Sequence, residues 1–189
     1  MLNRYLQLGR DAKSDFVAKL IFSLGLVYLL GPVVVSLKAN MPITLQTLIL
    51  LFVAIGFGWR IGTIVSVVYV VSGMLGLPVF AGYVGGMAQI TSAFGGFFFG
   101  FIAAAMITGF IAEGEGMQRP IPCFLIWVLG HVIVLLMGGF WLHKLNPESW
   151  WQMIQFALPG AAVKSAIGFL LIQVVIRLKS KREDFYAKK

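Results

Sequence analysis

The chain is poor in the groups that most catalytic chemistry needs. Its 189 residues include one cysteine, Cys123, two histidines, His131 and His143, and seven acidic residues. One cysteine excludes an internal disulfide and leaves the redox compartment open; a small buried hydrophobe is its simplest role. Two histidines, one cysteine and no carboxylate inside the apolar stretches are too few ligands for a metal site. No glycine-rich loop ending in Lys-Ser or Lys-Thr is present, which argues against ATP hydrolysis by this chain itself. The serines form no Ser-His-Asp combination at membrane depth, so an embedded hydrolase or transferase is the weaker reading and no enzymatic activity is expected.

What the chain has in abundance is apolar side chain: 59% of residues are hydrophobic and only 12% charged. That balance belongs to polytopic membrane proteins. A span needs about 20 apolar residues, and six such stretches occur, at about 16–37, 43–58, 61–81, 89–112, 120–143 and 153–177. The expected fold is an all-α integral membrane protein of six transmembrane helices in one domain over 1–189, with an N-terminal segment 1–15 and a basic tail 178–189. The second stretch is short and fits a bilayer only with little tilt or with help from its neighbours. No internal repeat is visible, so an inverted-repeat transporter is not indicated.

The net charge of +8 sits at the membrane edges, which points to lipid and not to nucleic acid. Arg4, Arg10 and Lys13 precede the first span, Arg60 and Arg119 occupy the second and fourth connections, and Arg177, Lys179, Lys181, Arg182, Lys188 and Lys189 follow the last. The opposite side holds only Lys38 and Lys144. The positive-inside rule then puts both termini in the cytoplasm. A basic N-terminal segment followed by an apolar run without a small-residue cleavage site speaks against a cleaved signal peptide. Lys19 is close enough to the inner end of span one to snorkel. The tail SKREDFYAKK suits lipid phosphates or a cytoplasmic protein partner.

Lys164 is the most informative residue, because it stands in the last apolar stretch with no acid in any span to neutralise it. An unpaired buried ammonium costs several kcal/mol, and ionisable groups at membrane depth mark substrate or ion paths. Two readings stand: a receptor for an anionic ligand, or a lysine that snorkels or binds backbone carbonyls. Gly160 and Gly168 lie four residues to either side, on one helical face, and leave either room beside the ammonium or a tight packing surface. Pro159 suits an early helical position, which would bring a positive helix end near the same place. The uncharged connection Gly82, Tyr83, Val84, Gly85 and Gly86 could let backbone approach a ligand, or serve as a flexible turn. In span four Ser92, Gly96, Gly100, Ala104 and Thr108 recur every four residues and read as a helix-packing face, with Phe97, Phe98, Phe99 and Phe101 turned to lipid or neighbouring helices. His131 reads as a hydrogen-bonded bundle histidine, or as a cavity-lining one if its face points inward.

Taken in order, Pro42-Ile43-Thr44-Leu45-Gln46-Thr47-Leu48, Gly76-Leu77-Pro78-Val79-Phe80-Ala81-Gly82 followed by Gly85-Gly86, then Gly95-Gly96, Gly130-His131, and Pro159-Gly160 with Lys164, resemble the BioY biotin transporters over nearly the whole chain. The resemblance implies a six-helix substrate-capturing S component of an energy-coupling factor transporter, multi-pass in the bacterial cytoplasmic membrane, with biotin as transported substrate and no cofactor. It implies an energy-coupling transmembrane protein and ATPase subunits as partners, and Lys164 as the residue that holds the biotin carboxylate. The family pattern at the last motif is PGDxxK; here Ala161 stands at the aspartate position, and Val84 stands where a polar residue often precedes the paired glycines. Tyr83, Gln46, Gln89, Thr91 and His131 are then the candidates for polar contacts to the ligand, beside Lys164, Gly160 and the backbone of Val84, Gly85 and Gly86. The first-helix docking motif of S components, an alanine-x-x-x-alanine face, is degraded around Ala18, Ser23 and Gly25. An S component for another small carboxylate and a non-transporting structural membrane subunit are the alternatives.

Overall fold

The structure, a computed structural model, describes residues 8–36, 42–114 and 119–187. The expectations for Arg4, Lys38, Lys188 and Lys189, and for the side chains of Lys179, Lys181 and Arg182, lie outside what it describes. The described elements run α1 (Ala12–Leu30), β1 (Val34–Ser36), β2 (Pro42–Thr44), α2 (Gln46–Phe57), α3 (Trp59–Met74), α4 (Met87–Thr91), α5 (Gly95–Ala112), α6 (Pro120–Leu145) and α7 (Ser149–Ala187). Three helices, α5, α6 and α7 as far as Leu178, are long and apolar enough to cross a membrane, while α2 and α3 are shorter apolar helices. α1 is of similar length, at 19 residues, but carries Lys13, Asp15 and Lys19 in its first turns.

The shortness of α2 has a packing cause. Its 12 residues rise about 18 Å, and all but Phe52 are buried, so it lies at the centre of the bundle with apolar side chains on every face. Gly58, at φ 94°, then turns the chain directly into α3, a backbone conformation that glycine adopts without steric cost. A side chain at Gly62 would meet Ala54 Cβ at 2.5 Å, so α2 and α3 touch backbone to backbone just after the turn.

The small-residue face of α5 meets α6. A Cβ at Gly96 would lie 2.4 Å from the Met137 carbonyl oxygen, and one at Gly100 3.0 Å from Val134 Cα. Ala104 and Thr108 are fully buried, and the Thr108 hydroxyl donates to the Ala104 carbonyl at 2.6 Å. Ser92 stands apart from this face, before the helix begins. Gly96→Leu should therefore drive the two helices apart, at about 1–3 kcal/mol or more for an overpacked contact. A clear fall in the melting temperature of the detergent-solubilised variant is expected, and an unchanged melting temperature would contradict this close approach.

Three expectations need correction. The all-helical expectation meets an antiparallel strand pair, with Val34 opposite Thr44 and Val35 opposite Ile43. These β-branched residues favour extended backbone, so the first span ends as helix at Leu30 and the Pro42–Thr44 segment leads into α2 as a strand. α7 starts at Ser149, not near Pro159, which lies inside the helix. The positive helix end is thus ten residues, or about 15 Å, before the proline and remote from Lys164. The apolar run Trp150, Trp151, Met153, Ile154 and Phe156 carries the helix through that point, and the proline forfeits one backbone hydrogen bond.

Lys19, the third correction, does not snorkel. It is 1% exposed, and its ammonium donates to Asp15 Oδ2 at 2.6 Å. The Asp15 carboxylate also accepts the Leu8 N–H at 2.6 Å and the Gly9 N–H at 3.2 Å, which ties the start of the described chain onto α1. Burial works against ionisation of Asp15, but the Lys19 ammonium and these two N–H groups outweigh it and hold its carboxyl below the usual range.

Candidate functional site

A cavity of about 370 Å³ opens between the strand pair and helices α2, α5, α6 and α7. Small-ligand sites fall between about 300 and 1,000 Å³. α7 forms its longest wall, from Met153 through Phe156 and Gly160 to Lys164, a rise of about 16 Å. Phe94, just before α5, and Phe97, Phe98 and Phe101 within it form an aromatic wall, to which the 80–84 turn adds Phe80. Polar groups are few. They come from Thr44 of β2, Gln46 and Thr47 of α2, Gln89 of α4, His131 of α6, and Lys164.

Three of these polar groups are placed by identifiable local causes. Lys164 is carried on the uninterrupted α7 helix and faces the cavity, and among the described residues no carboxylate pairs with it; the ion pair found is Lys19–Asp15 on α1. His131 is 4% exposed, with Nδ1 2.9 Å from the Trp127 carbonyl oxygen and 3.0 Å from Ser165 Oγ, so the neighbour of Lys164 in sequence clasps α7 to α6. The carbonyl can only accept, which assigns a hydrogen to Nδ1, while Nε2 has no partner among the described residues. Gln46 Nε2 donates to the Tyr69 hydroxyl at 2.6 Å, and that hydroxyl donates to the Val79 carbonyl at 2.8 Å.

The 80–84 turn is not a loose connection. Phe80 N–H donates to the Val84 carbonyl at 3.0 Å, Gly82 N–H to the Pro32 carbonyl at 2.9 Å, and Gly86 N–H to the Gly73 carbonyl at 2.6 Å. Tyr83 takes a positive φ of 61° at its tip. These bonds pin the turn between the lead-in to β1 and the end of α3, so that Ala81 and Val84 stand in the cavity wall.

Of the residues expected at a site, Lys164, Gln46, Gln89, His131, Gly160 and Val84 come together in this one wall. Tyr83, Gly85, Gly86 and Thr91 do not. The Tyr83 side chain is 65% exposed, and the Thr91 hydroxyl is directed at the carbonyls of its own helix, Met87 at 3.4 Å and Ala88 at 3.3 Å. A Cβ at Gly85 would strike the Leu77 carbonyl oxygen at 2.2 Å, so that glycine serves backbone packing. Gly168 likewise packs: a Cβ there would fall 2.3 Å from the Trp127 ring, so only Gly160 leaves room near Lys164.

Sequence reasoning missed the aromatic wall. It turns Phe97, Phe98 and Phe101 to lipid or other helices, yet they line the cavity, and only Phe99, 44% exposed and beside Trp141, points away. A run of four aromatics in five positions carries no periodic signal that separates cavity from lipid. Thr44 and Thr47 had a usable signal, since both fall in the same PITLQTL segment as Gln46.

Comparison with known proteins gives this geometry its context. Residues 8–181 match the BioY family. A biotin transporter BioY of Rhodobacter capsulatus is 33% identical over 181 residues, covering 86% of this chain and 90% of that protein. A probable biotin transporter BioY of Pyrococcus horikoshii is 32% identical over 135 residues, covering 70% and 78%. In fold, the chain is similar to the crystal structure of the S-component for biotin from an ECF-type ABC transporter, with a TM-score of 0.77 at 20% identity over 90% of this chain and 95% of that one. A lysine-bearing cavity among apolar helices, a shared bundle and a match that spans nearly the whole sequence agree: the chain belongs to the BioY family.

Proposed function

We propose that the chain captures biotin from outside the cell and serves in its uptake as the S component of an energy-coupling factor transporter. The supporting observation is Lys164, an ammonium that no described carboxylate balances, in the wall of a cavity otherwise rich in aromatic surface. Biotin carries both complements, a valerate carboxylate and an apolar bicyclic ring. In this reading the carboxylate lies against Lys164, the ring packs on the phenylalanines of α5, and Ala81 and Val84 of the pinned turn close over it. A charge-assisted hydrogen bond contributes about 1.5–3 kcal/mol net, and apolar burial adds about 25 cal/mol per Å². A prebonded turn reduces the ordering cost that binding must offset.

The same reading makes the chain one domain with six spans in the bacterial cytoplasmic membrane, both termini inside. α1 from Phe16 onward, α2 and α3 are its first three spans, α2 and α3 crossing only with the thickness that their neighbours lend. Energy would come from a separate transmembrane partner with its ATPase subunits. In a bacterium stripped of its own biotin uptake, the chain with those subunits should restore entry of labelled biotin, and untagged subunits should copurify with it. No uptake with or without them would contradict the proposal. A second reading, capture of a different small carboxylate, is favoured by Ala161 and Val84, apolar residues in the cavity wall at positions polar in the family pattern; a ligand panel read by thermal shift separates the two.

A further inference from the structure

With Ala161 and Val84 unable to hydrogen-bond through their side chains, the ring end of a bound ligand needs another reader. We propose that Gln46 is that specificity-determining residue, its side-chain oxygen accepting a ring N–H of the ligand, and that Tyr69 is its positioning residue; this rests on the biotin reading above. The orientation of the amide follows from chemistry. The Tyr69 hydroxyl lies 2.8 Å from the Val79 carbonyl oxygen, which can only accept, so the phenolic hydrogen is committed there. Whatever approaches the Tyr69 oxygen at 2.6 Å must therefore donate, which assigns the Gln46 amino group to that contact. Its Oε1 is the free end, and no other hydrogen bond engages it among the described residues.

The relay is rigid. Tyr69 is fully buried, edge-on to Phe80 at 5.6 Å and beside Tyr28 at 6.4 Å, so its ring cannot swing to release the amide. Tyr28 is itself anchored: Ser72 donates its hydrogen to the Val68 carbonyl and accepts the Tyr28 hydroxyl at 2.6 Å. Gln46, 6% exposed, thus lines the cavity wall with its amino group held by Tyr69, and no hydrogen bond takes its Oε1 among the described residues. Such a site favours a ligand that supplies N–H and rejects an analogue that lacks it, because the analogue would cover that oxygen and leave it unpaired. The substrate class is a carboxylate whose far end is a ring bearing N–H donors, as in a cyclic urea.

The test is equilibrium binding to the purified full chain of biotin and of its two mono-N-methyl derivatives, each of which blocks one ring N–H. One derivative should bind the wild type about tenfold or more weaker than biotin. Gln46→Leu, similar in size, should lose about tenfold for biotin and little for that derivative, so the discrimination collapses. Tyr69→Phe, which keeps the ring but frees the amide, should reduce the same discrimination, and it keeps the test decisive should the leucine variant fail to fold. Wild type that binds biotin and both derivatives equally, or variants that discriminate as well as wild type, would overturn the assignment of Gln46. Wild type that binds none of the three would overturn the biotin reading and this inference with it.

Discussion

Lys164→Met should weaken biotin binding by about 10- to 150-fold, the range that a charge-assisted hydrogen bond of about 1.5–3 kcal/mol spans. Methionine keeps most of the side-chain length, so the cavity is not enlarged and the loss reports charge. Membrane insertion and folding should survive. Removing an ammonium that no described carboxylate balances relieves a desolvation cost, so the ligand-free variant should melt no lower than wild type and the two can be compared directly on that basis. Affinity unchanged from wild type in the purified variant would refute a role for the cation in binding.

Gly160→Leu should abolish binding by occupation of space. A Cβ at Gly160 would meet only Ile43, at 3.5 Å and 3.9 Å, which is ordinary contact, so the helix can accept a side chain there. The leucine then projects toward β2 into the cavity one turn before Lys164, where it takes space that the proposed ligand needs. The loss should exceed about 100-fold, on the order of 3 kcal/mol. Leucine is favoured over glycine in a helix by somewhat under about 1 kcal/mol, so thermal stability should hold or rise. The pair of readouts separates this site from Gly96 and Gly168, where an added side chain strikes the Met137 carbonyl oxygen or the Trp127 ring and threatens the fold itself. Retained biotin affinity in Gly160→Leu would show that the ligand lies elsewhere.

Much of the membrane architecture was legible because apolar runs are long and charges mark their ends. The stretches at 89–112, 120–143 and 153–177 correspond to α5, α6 and α7, with α4 breaking off before α5 at Ser92 to Phe94. The four-residue spacing of Gly96, Gly100, Ala104 and Thr108 marked a close helix contact, because small residues along one face let a neighbouring backbone approach. What escaped was decided by partners distant in sequence. Hydropathy marks the short second stretch and its end at Gly58, but it cannot show that Val34–Ser36 pairs with Pro42–Thr44. The preference of proline for helix starts misled at Pro159, because apolar and aromatic residues on the preceding turns extend the helix back to Ser149.

Lys164 stands out in the sequence for a physical reason: charge in an apolar run is rare and expensive, so one residue carries the signal. Gln46, Gln89 and His131 also line the cavity. Tyr83 and Thr91 did not, since a positive-φ turn aims one outward and helix carbonyls engage the other. The orientation of Gln46 was beyond sequence reasoning altogether, because it depends on Tyr69 and Val79, far along the chain, and on which of them donates.

Titration of the purified wild-type chain with biotin and with its neutral primary amide isolates the carboxylate without altering the protein. The amide should bind at least about tenfold more weakly to wild type, and Lys164→Met should bind both ligands with nearly equal, weak affinity. Equal, tight binding of biotin and its amide by wild type would contradict an anion held at Lys164.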